Sequence, residues 1–321
     1  MLYLITFVAL TIILLGYIKI AKTLNIVDRP NSRSSHHDIT VRGGGIIFPI
    51  AAVLWHFLYG HMALWIILAL LLVAVISFID DIILLSSGIR ILIHIIATTI
   101  LLWQIQIFDL PWYSVFLIYI VILGWINAFN FMDGINGITG IYGLVSLSTF
   151  LWMNQSIHFF SSELLITLIL STIIFLFFNF RLRAKTFAGD VGSVSLAFLL
   201  AWGLISLILV TGRVEYILFF AVYGIDSAVT ILLRLARREN IFKAHRTHLY
   251  QFLSNEYKWS HTKVALIYGL IQLTINITVI LSITNNWMNF FVLLFSIIVL
   301  SAAYLIIRYK IQKAINWKYS Y

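Results

Sequence analysis

Residues Trp112–Met153 read WYSVFLIYIVILGWINAFNFMDGINGITGIYGLVSLSTFLWM, and their pattern indicates how the chain folds. Two apolar runs enclose the polar segment NAFNFMDGINGITG, and an apolar run of about 20 residues is enough to cross a bilayer as a helix. Of the 321 residues in the chain, 62% are hydrophobic and 10% are charged, whereas roughly a quarter of a soluble domain is charged. The sequence therefore predicts an all-α, polytopic membrane bundle in which residues 1–321 form a single embedded domain.

Similar apolar runs recur along the chain and predict about eleven membrane-spanning helices. The second run contains Pro49, a residue that can kink a helix. The first run lacks the basic start and the small-residue cleavage site of a secretory signal peptide, so we expect it to be retained. The predicted spans cover residues 2–20, 46–60, 62–79, 91–107, 112–128, 138–153, 163–179, 192–210, 215–233, 264–283 and 287–307.

The distribution of basic residues predicts the orientation. With helices in these places, all 21 Lys and Arg residues except Arg213 fall on one side of the membrane. Basic residues in short loops favour the cytoplasmic side, so the N-terminus is predicted outside and the C-terminus in the cytoplasm. The net charge of +9 follows from this topology, so we expect an anionic substrate or lipid headgroup as partner, and no nucleic acid. The absence of Cys excludes a thiolate nucleophile and a Cys-based metal site.

Five polar clusters lie on the predicted cytoplasmic side. The first reads NSRSSHHDITVRGGGIIF at 31–48 and contains Arg33, Arg42 and three successive glycines. Glycine lets a backbone approach a phosphate closely, and the start of a helix attracts anions. The cluster is therefore a candidate phosphate-binding segment, and a solvated basic loop with a flexible hinge is the alternative.

The second cluster, SFIDDIILLSSGIR at 77–90, ends a predicted span with Asp80 and Asp81. Acidic side chains at a span end are costly unless they have partners or a function. Two adjacent carboxylates can bind a divalent cation, or one of them can act as a base. An interfacial pair solvated by water is the alternative.

The third cluster is the polar segment 127–140. Helical spacing puts Asn127 and Asn130 on one face close to Asp133, so that two amides and a carboxylate point toward one place. Asn, Asp and Gly are also ordinary turn residues, so a polar turn between two spans is the alternative.

The fourth cluster, FNFRLRAKTFAGDVGSVSLAFLL at 178–200, places basic residues including Lys185 before Asp190 at the start of a helix. Asp190 can be a helix N-cap. It can equally hold Mg²⁺ while the helix start and the basic residues take phosphate oxygens. The residue pattern leaves both roles open.

The fifth cluster, RLARRENIFKAHRTHLYQFL, contains His245, Arg246 and His248. No third soft ligand is near, so a zinc site is disfavoured. Cationic donors for a diphosphate are the preferred interpretation, and a basic helix lying on anionic lipid is the alternative. Asp226, inside the ninth predicted span, is expected to pair with Arg234 or to face the site.

Carboxylates that bind a hard cation, together with many cations that bind phosphate, are typical of metal-assisted phosphoryl transfer. A transporter would place its ionisable residues near the middle of the membrane. A non-catalytic scaffold would not need the acidic residues. The concentration of acids, amides and bases at one surface favours an enzyme over both alternatives.

The motifs RSSHHDITVRGGG, DD, NAFNFMDGINGITG, FAGDVGS and HRTHLYQ, in this order, resemble the polyprenyl-phosphate N-acetylhexosamine-1-phosphate transferases. That superfamily includes the phospho-N-acetylmuramoyl-pentapeptide transferase. The resemblance covers the chain from about residue 30 to residue 251. The HRTHLYQ form is most similar to bacterial members that start O-antigen or other envelope glycans, including those of lipopolysaccharide.

The resemblance implies that undecaprenyl phosphate attacks the β-phosphorus of a UDP-N-acetylhexosamine at the cytoplasmic face of the bacterial inner membrane, and that UMP leaves. It implies Mg²⁺, or Mn²⁺ as an alternative, and is compatible with a homodimer. Asp190 would be the metal ligand, and the catalytic residues would be Asp80, Asp81 and Asp133. The implied substrate-binding residues are Asn127, Asn130, Asn136, Arg33, Arg42, Lys185, His245, Arg246 and His248.

One position departs from the family pattern. The turn usually reads DG-x-DG, and this chain has Asn136 where the second aspartate is expected. We expect Asn136 to be tolerated, because asparagine keeps the size and one acceptor although it loses the charge. The particular sugar and the choice between direct displacement and a phospho-aspartate intermediate stay open.

Overall fold

The computed structural model describes residues 1–30, 35, 38–60, 63–240 and 245–315. Predicted site residue Arg33 lies outside the described residues. A helix occupies each predicted span, and one short helix, α10, was not predicted. The helices are α1 Leu2–Thr23, α2 Ile47–Tyr59, α3 Leu64–Ile82, α4 Ser87–Gln104, α5 Trp112–Met132, α6 Ile138–Ile157, α7 Ser162–Asn179, α8 Gly189–Thr211, α9 Ala221–Ala236, α10 Leu249–Gln251, α11 His261–Thr284 and α12 Phe290–Ala314.

The described helices confirm a polytopic all-α membrane protein. Nine of them are long and apolar enough to cross a membrane, and one of these nine combines α9 with the 3₁₀ turn Val214–Phe220 before it. Neither α2 nor α6 belongs to that set, because α2 is short and α6 carries buried polar residues such as Ser146 and Asn154. A helix surrounded by protein can hold such residues, since lipid does not contact them. The predicted count and orientation of the spans stay predictions.

The core is organised around α8. In the apolar 18-residue stretch of α8, 78% of the residues are buried. In the corresponding stretch of α12, at the periphery, 11% are buried. α8 packs against α2, α3, α5 and α6. The start of α8 therefore meets the end of α3 and the end of α5, which carry two of the acidic clusters.

Pro49 lies near the start of its helix. It falls in the first turn of α2, where a backbone N–H has no partner within the helix, so its missing N–H costs nothing. Proline is therefore compatible with a regular helix at this position, and the possible kink stays a prediction.

The loop before α2 is connected to the loop before α8 by backbone hydrogen bonds. Strand β1 (Val27–Asp28) pairs antiparallel with β2 (Thr40–Val41), and Val41 bridges to Thr186. The N–H of Gly44 donates to Phe187 O at 2.8 Å, and the N–H of Gly45 donates to Ala188 O at 3.0 Å. These contacts bring the first and fourth polar clusters together.

Candidate active site

Asp81 forms the base of the site by capping the start of α8. Its Oδ1 accepts from the Asp190 N–H at 2.8 Å, and its Oδ2 accepts from the Val191 N–H at 3.1 Å. The first amides of a helix have no partner inside the helix, so a carboxylate from α3 satisfies them here. Arg42 Nε lies 2.7 Å from the same Oδ1. Asp81 therefore positions Asp190 and Arg42.

Asp80 is held in a similar way on the neighbouring side. Its Oδ1 accepts from the Leu85 N–H at 2.7 Å, and its Oδ2 lies 2.8 Å from Arg90 Nη1. Both aspartates are thus bound to protein groups. Their predicted catalytic role stays a prediction, and the structure adds a positioning role that the DD pair did not reveal.

Asp190 presents the carboxylate most accessible to a ligand among these three. Its side chain is 19% exposed, whereas that of Asp80 is 5% exposed and that of Asp81 is fully buried. Its oxygens lie 3.4 Å from Arg42 Nη2 and 3.6 Å from Arg90 Nη1, which are long contacts. A carboxylate held loosely between two guanidinium groups can exchange those contacts for a cation or a substrate.

The structure brings part of the 127–140 segment to the same place. Asn130 Oδ1 accepts from the Ser193 hydroxyl at 2.6 Å, next to the start of α8. Asp133 follows the last residue of α5 and accepts a hydrogen bond from Thr139. Burial raises the pKa of Asp133 to about 7. Asn127 instead donates to the carbonyl of Leu123 in its own helix at 2.8 Å.

Asn136 has a structural role that an aspartate could not fill. Its buried side-chain amide donates from Nδ2 to Arg181 O at 2.8 Å and to Leu182 O at 3.3 Å. A carboxylate has no hydrogen to donate and would face two carbonyl oxygens. This contact supports the expectation that asparagine is tolerated at a position where the family pattern has aspartate, and the tolerance itself stays a prediction.

Two polar cavities open around these residues. The acidic cavity, of about 360 Å³, is lined by Arg42, Asn130, Asp133 and Asp190 among others. The outer cavity, of about 700 Å³, is lined by basic and aromatic residues, including Arg183, Arg246, Lys258 and Trp259. The two cavities share the wall residues Ser35, Asn136, Phe187 and His261.

Two further cavities continue from Asp190 toward the lipid side of the bundle. The histidine cavity, of about 460 Å³, is lined by Arg90, His94, His245 and His248, and it shares Asn130 and Asp190 with the acidic cavity. The apolar groove, of about 590 Å³, runs between α5, α8, α9 and α12. It shares Asn127, Phe131 and Ile231 with the histidine cavity. The four cavities are thus neighbours that share wall residues, and Asp190 lies between the acidic cavity and the histidine cavity.

The basic residues predicted to bind substrate separate into different places. Arg42 lines the acidic cavity, Arg246 lines the outer cavity, and His245 and His248 line the histidine cavity. Lys185 is exposed and lies outside the walls of the four cavities. The geometry therefore gives no support to its predicted contact with substrate.

Two expectations about charge in the fifth cluster receive no support from the structure. Burial lowers the pKa of His245 to about 3, which favours a neutral ring over the predicted cationic donor. Asp226 does not pair with Arg234, whose Nε instead lies 2.9 Å from Glu239 Oε2. Asp226 Oδ1 lies 3.0 Å from His248 Nδ1.

The arrangement of carboxylates fits a magnesium ion held partly by substrate. Among the described residues there is no group of three or more His, Asp or Glu that could hold a metal alone. Mg²⁺ is usually bound by one or two carboxylates plus waters and substrate phosphates. Asp190, with Asp133 in the same cavity, meets that requirement.

Several residues of the site escaped sequence reasoning. Arg90 ends the segment that contains the DD pair, and its basic character was the signal available. Phe187 and Gln251 line the acidic cavity and belong to the motifs FAGDVGS and HRTHLYQ, but their uncharged side chains gave no separate signal. His261 also lines this cavity and lies outside the quoted motifs. His94 lies inside an apolar helix, where a single histidine gives little sign of its role.

A membrane-embedded helical bundle with a carboxylate and arginine cluster between polar cavities and an apolar groove defines a class of membrane enzyme that acts on phosphates. Residues 63–208 match the family model of glycosyl transferase family 4.

Two relatives align over most of the chain. It is 27% identical over 304 residues to a probable undecaprenyl-phosphate N-acetylglucosaminyl 1-phosphate transferase of Bacillus subtilis, with 87% of this chain and 84% of the relative covered. It is 28% identical over 256 residues to the phospho-N-acetylmuramoyl-pentapeptide-transferase of Dictyoglomus thermophilum, with 72% and 79% covered.

Proposed function

We propose that this protein transfers an N-acetylhexosamine-1-phosphate group from a UDP-sugar to a polyprenyl phosphate and releases UMP. The observation that supports this function best is the series of neighbouring cavities. A water-soluble anionic donor needs a polar pocket, and a polyprenyl acceptor needs an apolar groove. Here the histidine cavity lies between them: it shares Asp190 with the acidic cavity, and it shares Asn127 and Phe131 with the apolar groove.

The outer and acidic cavities fit the nucleotide sugar. Three basic residues line the outer cavity, and two of them pair at 3.5 Å with acidic residues of the same wall, so that Lys258 adds the remaining positive charge. Phe187 lies in the wall shared by both cavities, where an aromatic ring can stack on a nucleobase. The diphosphate would then lie in the acidic cavity beside Arg42, close to the start of α8, which favours negative charge.

Asp190, with Asp133, would hold Mg²⁺ together with the diphosphate of the donor. The bound cation would neutralise negative charge on the transferring phosphate. Arg42 and Arg90, which contact Asp190, would be freed to bind phosphate oxygens once the carboxylate engages the cation. The reaction forms one P–O bond to the lipid phosphate and breaks the P–O bond to UMP.

The acceptor would enter through the apolar groove. Its chain would lie between α5 and α9, and its phosphate would reach the histidine cavity, where Arg90 supplies positive charge. We further propose undecaprenyl phosphate as the acceptor and the start of an O-antigen or other envelope glycan as the role, on the basis of the HRTHLYQ motif. The distribution of basic residues supports an active site on the cytoplasmic face.

The test is UMP release by the purified protein in nanodiscs containing undecaprenyl phosphate, with Mg²⁺ and a panel of UDP-N-acetylhexosamines. Release that requires the lipid phosphate, and that stops with EDTA and returns with added Mg²⁺, is expected. The UDP-N-acetylhexosamine that supports UMP release identifies the sugar that the protein uses. Folded protein that releases no UMP with any sugar would contradict the proposal and favour a transport role.

Replacing Asn136 by aspartate is expected to lower activity and stability. The carboxylate would lose both donated hydrogen bonds and place a charge against two carbonyl oxygens. We expect a lower melting temperature in detergent and UMP release below that of the native chain. Asn136→Ser, which keeps a donor, is the matched control. A several-fold gain in activity for Asn136→Asp would refute this interpretation of the departure.

Filling the apolar groove is expected to impair use of the lipid acceptor selectively. Gly224 lines the groove, and an added Cβ there meets nothing within 4 Å, so Gly224→Leu should fold and extend into the groove. The KM for undecaprenyl phosphate should rise about 10-fold, in line with the loss of a few apolar contacts, while the KM for the UDP-sugar stays unchanged.

Gly16→Leu is the matched control for the groove variant, because Gly16 also has open space around it and lies in α1, away from the groove. It should leave both KM values unchanged. Equal effects of the two substitutions would show that the groove does not receive the acceptor.

A further inference from the structure

Asp226 is a buried carboxylate that the proposed reaction does not yet explain. It lies in α9 with 0% exposure. Its Oδ2 accepts from the Tyr268 hydroxyl in α11 at 2.7 Å, and its Oδ1 accepts from the Tyr304 hydroxyl in α12 at 3.0 Å. A buried charge is costly even when it is well bonded. Its presence at the contact of three helices therefore indicates a specific task.

The task is indicated by the third partner of the carboxylate. His248 Nδ1 lies 3.0 Å from Asp226 Oδ1. An ionised carboxylate can only accept hydrogen bonds, so this contact favours the tautomer that carries its hydrogen on Nδ1. The hydrogen bond at one ring nitrogen decides the state of the other, so Nε2 is the nitrogen left for another partner.

The other ring nitrogen is placed at the histidine cavity. His248 is 2% exposed and lines this cavity together with Arg90 and Asp190. Its Nε2 is buried and forms no hydrogen bond with any residue that the structure describes. A buried polar atom without a partner costs free energy. A ligand in the cavity that supplies a partner would remove this cost.

Resting on the function proposed above, we propose that Asp226 is a positioning residue. It holds His248 with Nδ1 protonated and orients the ring so that Nε2 forms a hydrogen bond with a phosphate group of a substrate in the histidine cavity. Arg90, in the same cavity, supplies the positive charge that attracts that phosphate.

The surrounding charges are consistent with a direct link between Asp226 and His248. Arg308 donates to the Tyr304 and Thr230 hydroxyls, at 2.8 Å each, and so reaches Asp226 through these two hydroxyls. Within the described chain, His248 is the basic residue in ion-pair contact with Asp226. The rings of His245 and Tyr250 face His248 at centroid distances of 5.0 and 5.8 Å.

Substitutions of His248 test the two ring nitrogens separately. His248→Asn keeps an N–H near the position of Nδ1 and lacks Nε2, whereas His248→Gln places an amide near the position of Nε2. With the UDP-sugar that the native protein uses, we expect kcat to fall about 100-fold for His248→Asn and about 10-fold for His248→Gln. The reverse order would show that the histidine only anchors its loop to Asp226, and would overturn the proposal.

Substitution of Asp226 tests whether it acts through His248. Asp226→Asn is expected to lower kcat about 100-fold without raising the KM for the UDP-sugar. In the double variant that combines Asp226→Asn with His248→Asn, kcat should lie within about 3-fold of the kcat of His248→Asn alone. Asp226 has no further effect there, because the ring that it orients is already absent. Losses that multiply would overturn the proposal.

Tyr268→Phe is the matched control, since it removes a hydrogen bond to the same carboxylate and leaves the contact with His248 intact. It should lower the melting temperature and keep kcat within about 3-fold of the native value. If Tyr268→Phe lowers kcat as much as Asp226→Asn does, the carboxylate has only a structural role.

A readout without turnover separates this proposal from the proposed function. In solid-state NMR spectra of ¹⁵N-histidine-labelled protein, the signal lost in His248→Asn identifies His248. We expect its Nδ1 to be protonated, and its Nε2 signal to move when undecaprenyl phosphate or the UDP-sugar is added; separate additions show which phosphate is bound. An unprotonated Nδ1, or an Nε2 signal that neither substrate moves, would overturn the proposal even if the native protein releases UMP.

Discussion

Replacing Asp190 by asparagine is expected to reduce UMP release about 100- to 1,000-fold, the range for losing one group that stabilises charge during a reaction. Asp190 has the most exposed side chain of the three aspartates around the start of α8, and its contacts with Arg42 and Arg90 are long. Asparagine keeps the shape but loses the charge that would bind Mg²⁺. The measurement is kcat at saturating Mg²⁺.

We expect Asp190→Asn to leave the stability of the folded protein unchanged. The backbone N–H of residue 190, which Asp81 caps, is unaltered by the substitution. The melting temperature should therefore match that of the native protein. Asp81→Asn is expected to behave in the opposite way and lower the melting temperature, because Asp81 caps α8 and contacts Arg42.

Asp109→Asn is the control for a general effect of removing a carboxylate, since Asp109 is exposed in the loop between α4 and α5. It should keep native activity. If Asp190→Asn retains activity close to that of Asp109→Asn, Asp190 is not the metal ligand and the role assigned to the acidic cavity is wrong.

Replacing Gly192 by alanine is expected to be among the most destabilising single-methyl changes in the chain. The added Cβ would lie 2.6 Å from Gly45 Cα and 3.0 Å from Ala188 Cβ. The first of these atoms is backbone and cannot rotate away, so α8 must move from the segment before α2. Overpacking usually costs about 1–3 kcal/mol, and a contact between two backbones lies at the upper end or above.

Activity should fall together with stability, because the same contact holds Asp190 beside Arg42. The measurements are the melting temperature in detergent and UMP release by the protein that remains folded. Gly16→Ala is the control, since nothing lies within 4 Å of its added Cβ and alanine favours a helix over glycine by about 1 kcal/mol. A Gly192→Ala protein as stable as Gly16→Ala would show that α2 and α8 pack less closely than described.

Much of the architecture was predictable because the relevant signals are local. An apolar run specifies a helix in lipid without reference to the rest of the chain. Each predicted span therefore contains a helix, although the exact ends differ by several residues, as at α8, which starts at Gly189 instead of residue 192. The short strands Val27–Asp28 and Thr40–Val41 were missed, since two residues are too few to show a pattern.

The identities of the acidic site residues were also predictable. Asp80, Asp133 and Asp190 are carboxylates at the ends of apolar runs, where a charge is costly without a function. Because successive helices run in opposite directions, the ends that carry these carboxylates lie at the same side of the bundle. Lys185 was assigned to the site by its neighbours in sequence, but its side chain is exposed and lines none of the four cavities.

The partners of these residues were decided by tertiary structure. Asp81 caps α8 across 109 positions of sequence, and Asn136 donates to a carbonyl 45 positions away. Asp226 contacts His248 instead of Arg234, although Arg234 lies on the same helix face.

The sequence by itself determined that the chain spans a membrane, where its helices lie, and which loops carry carboxylates, amides and basic groups. Those properties depend on the free energy of each segment in lipid or water, which composition and periodicity express directly. The tertiary structure alone decided which carboxylate is accessible, which caps a helix and which orients a histidine. Such differences depend on the packing of helices that are distant in sequence, because only packing determines which donor lies next to each acceptor.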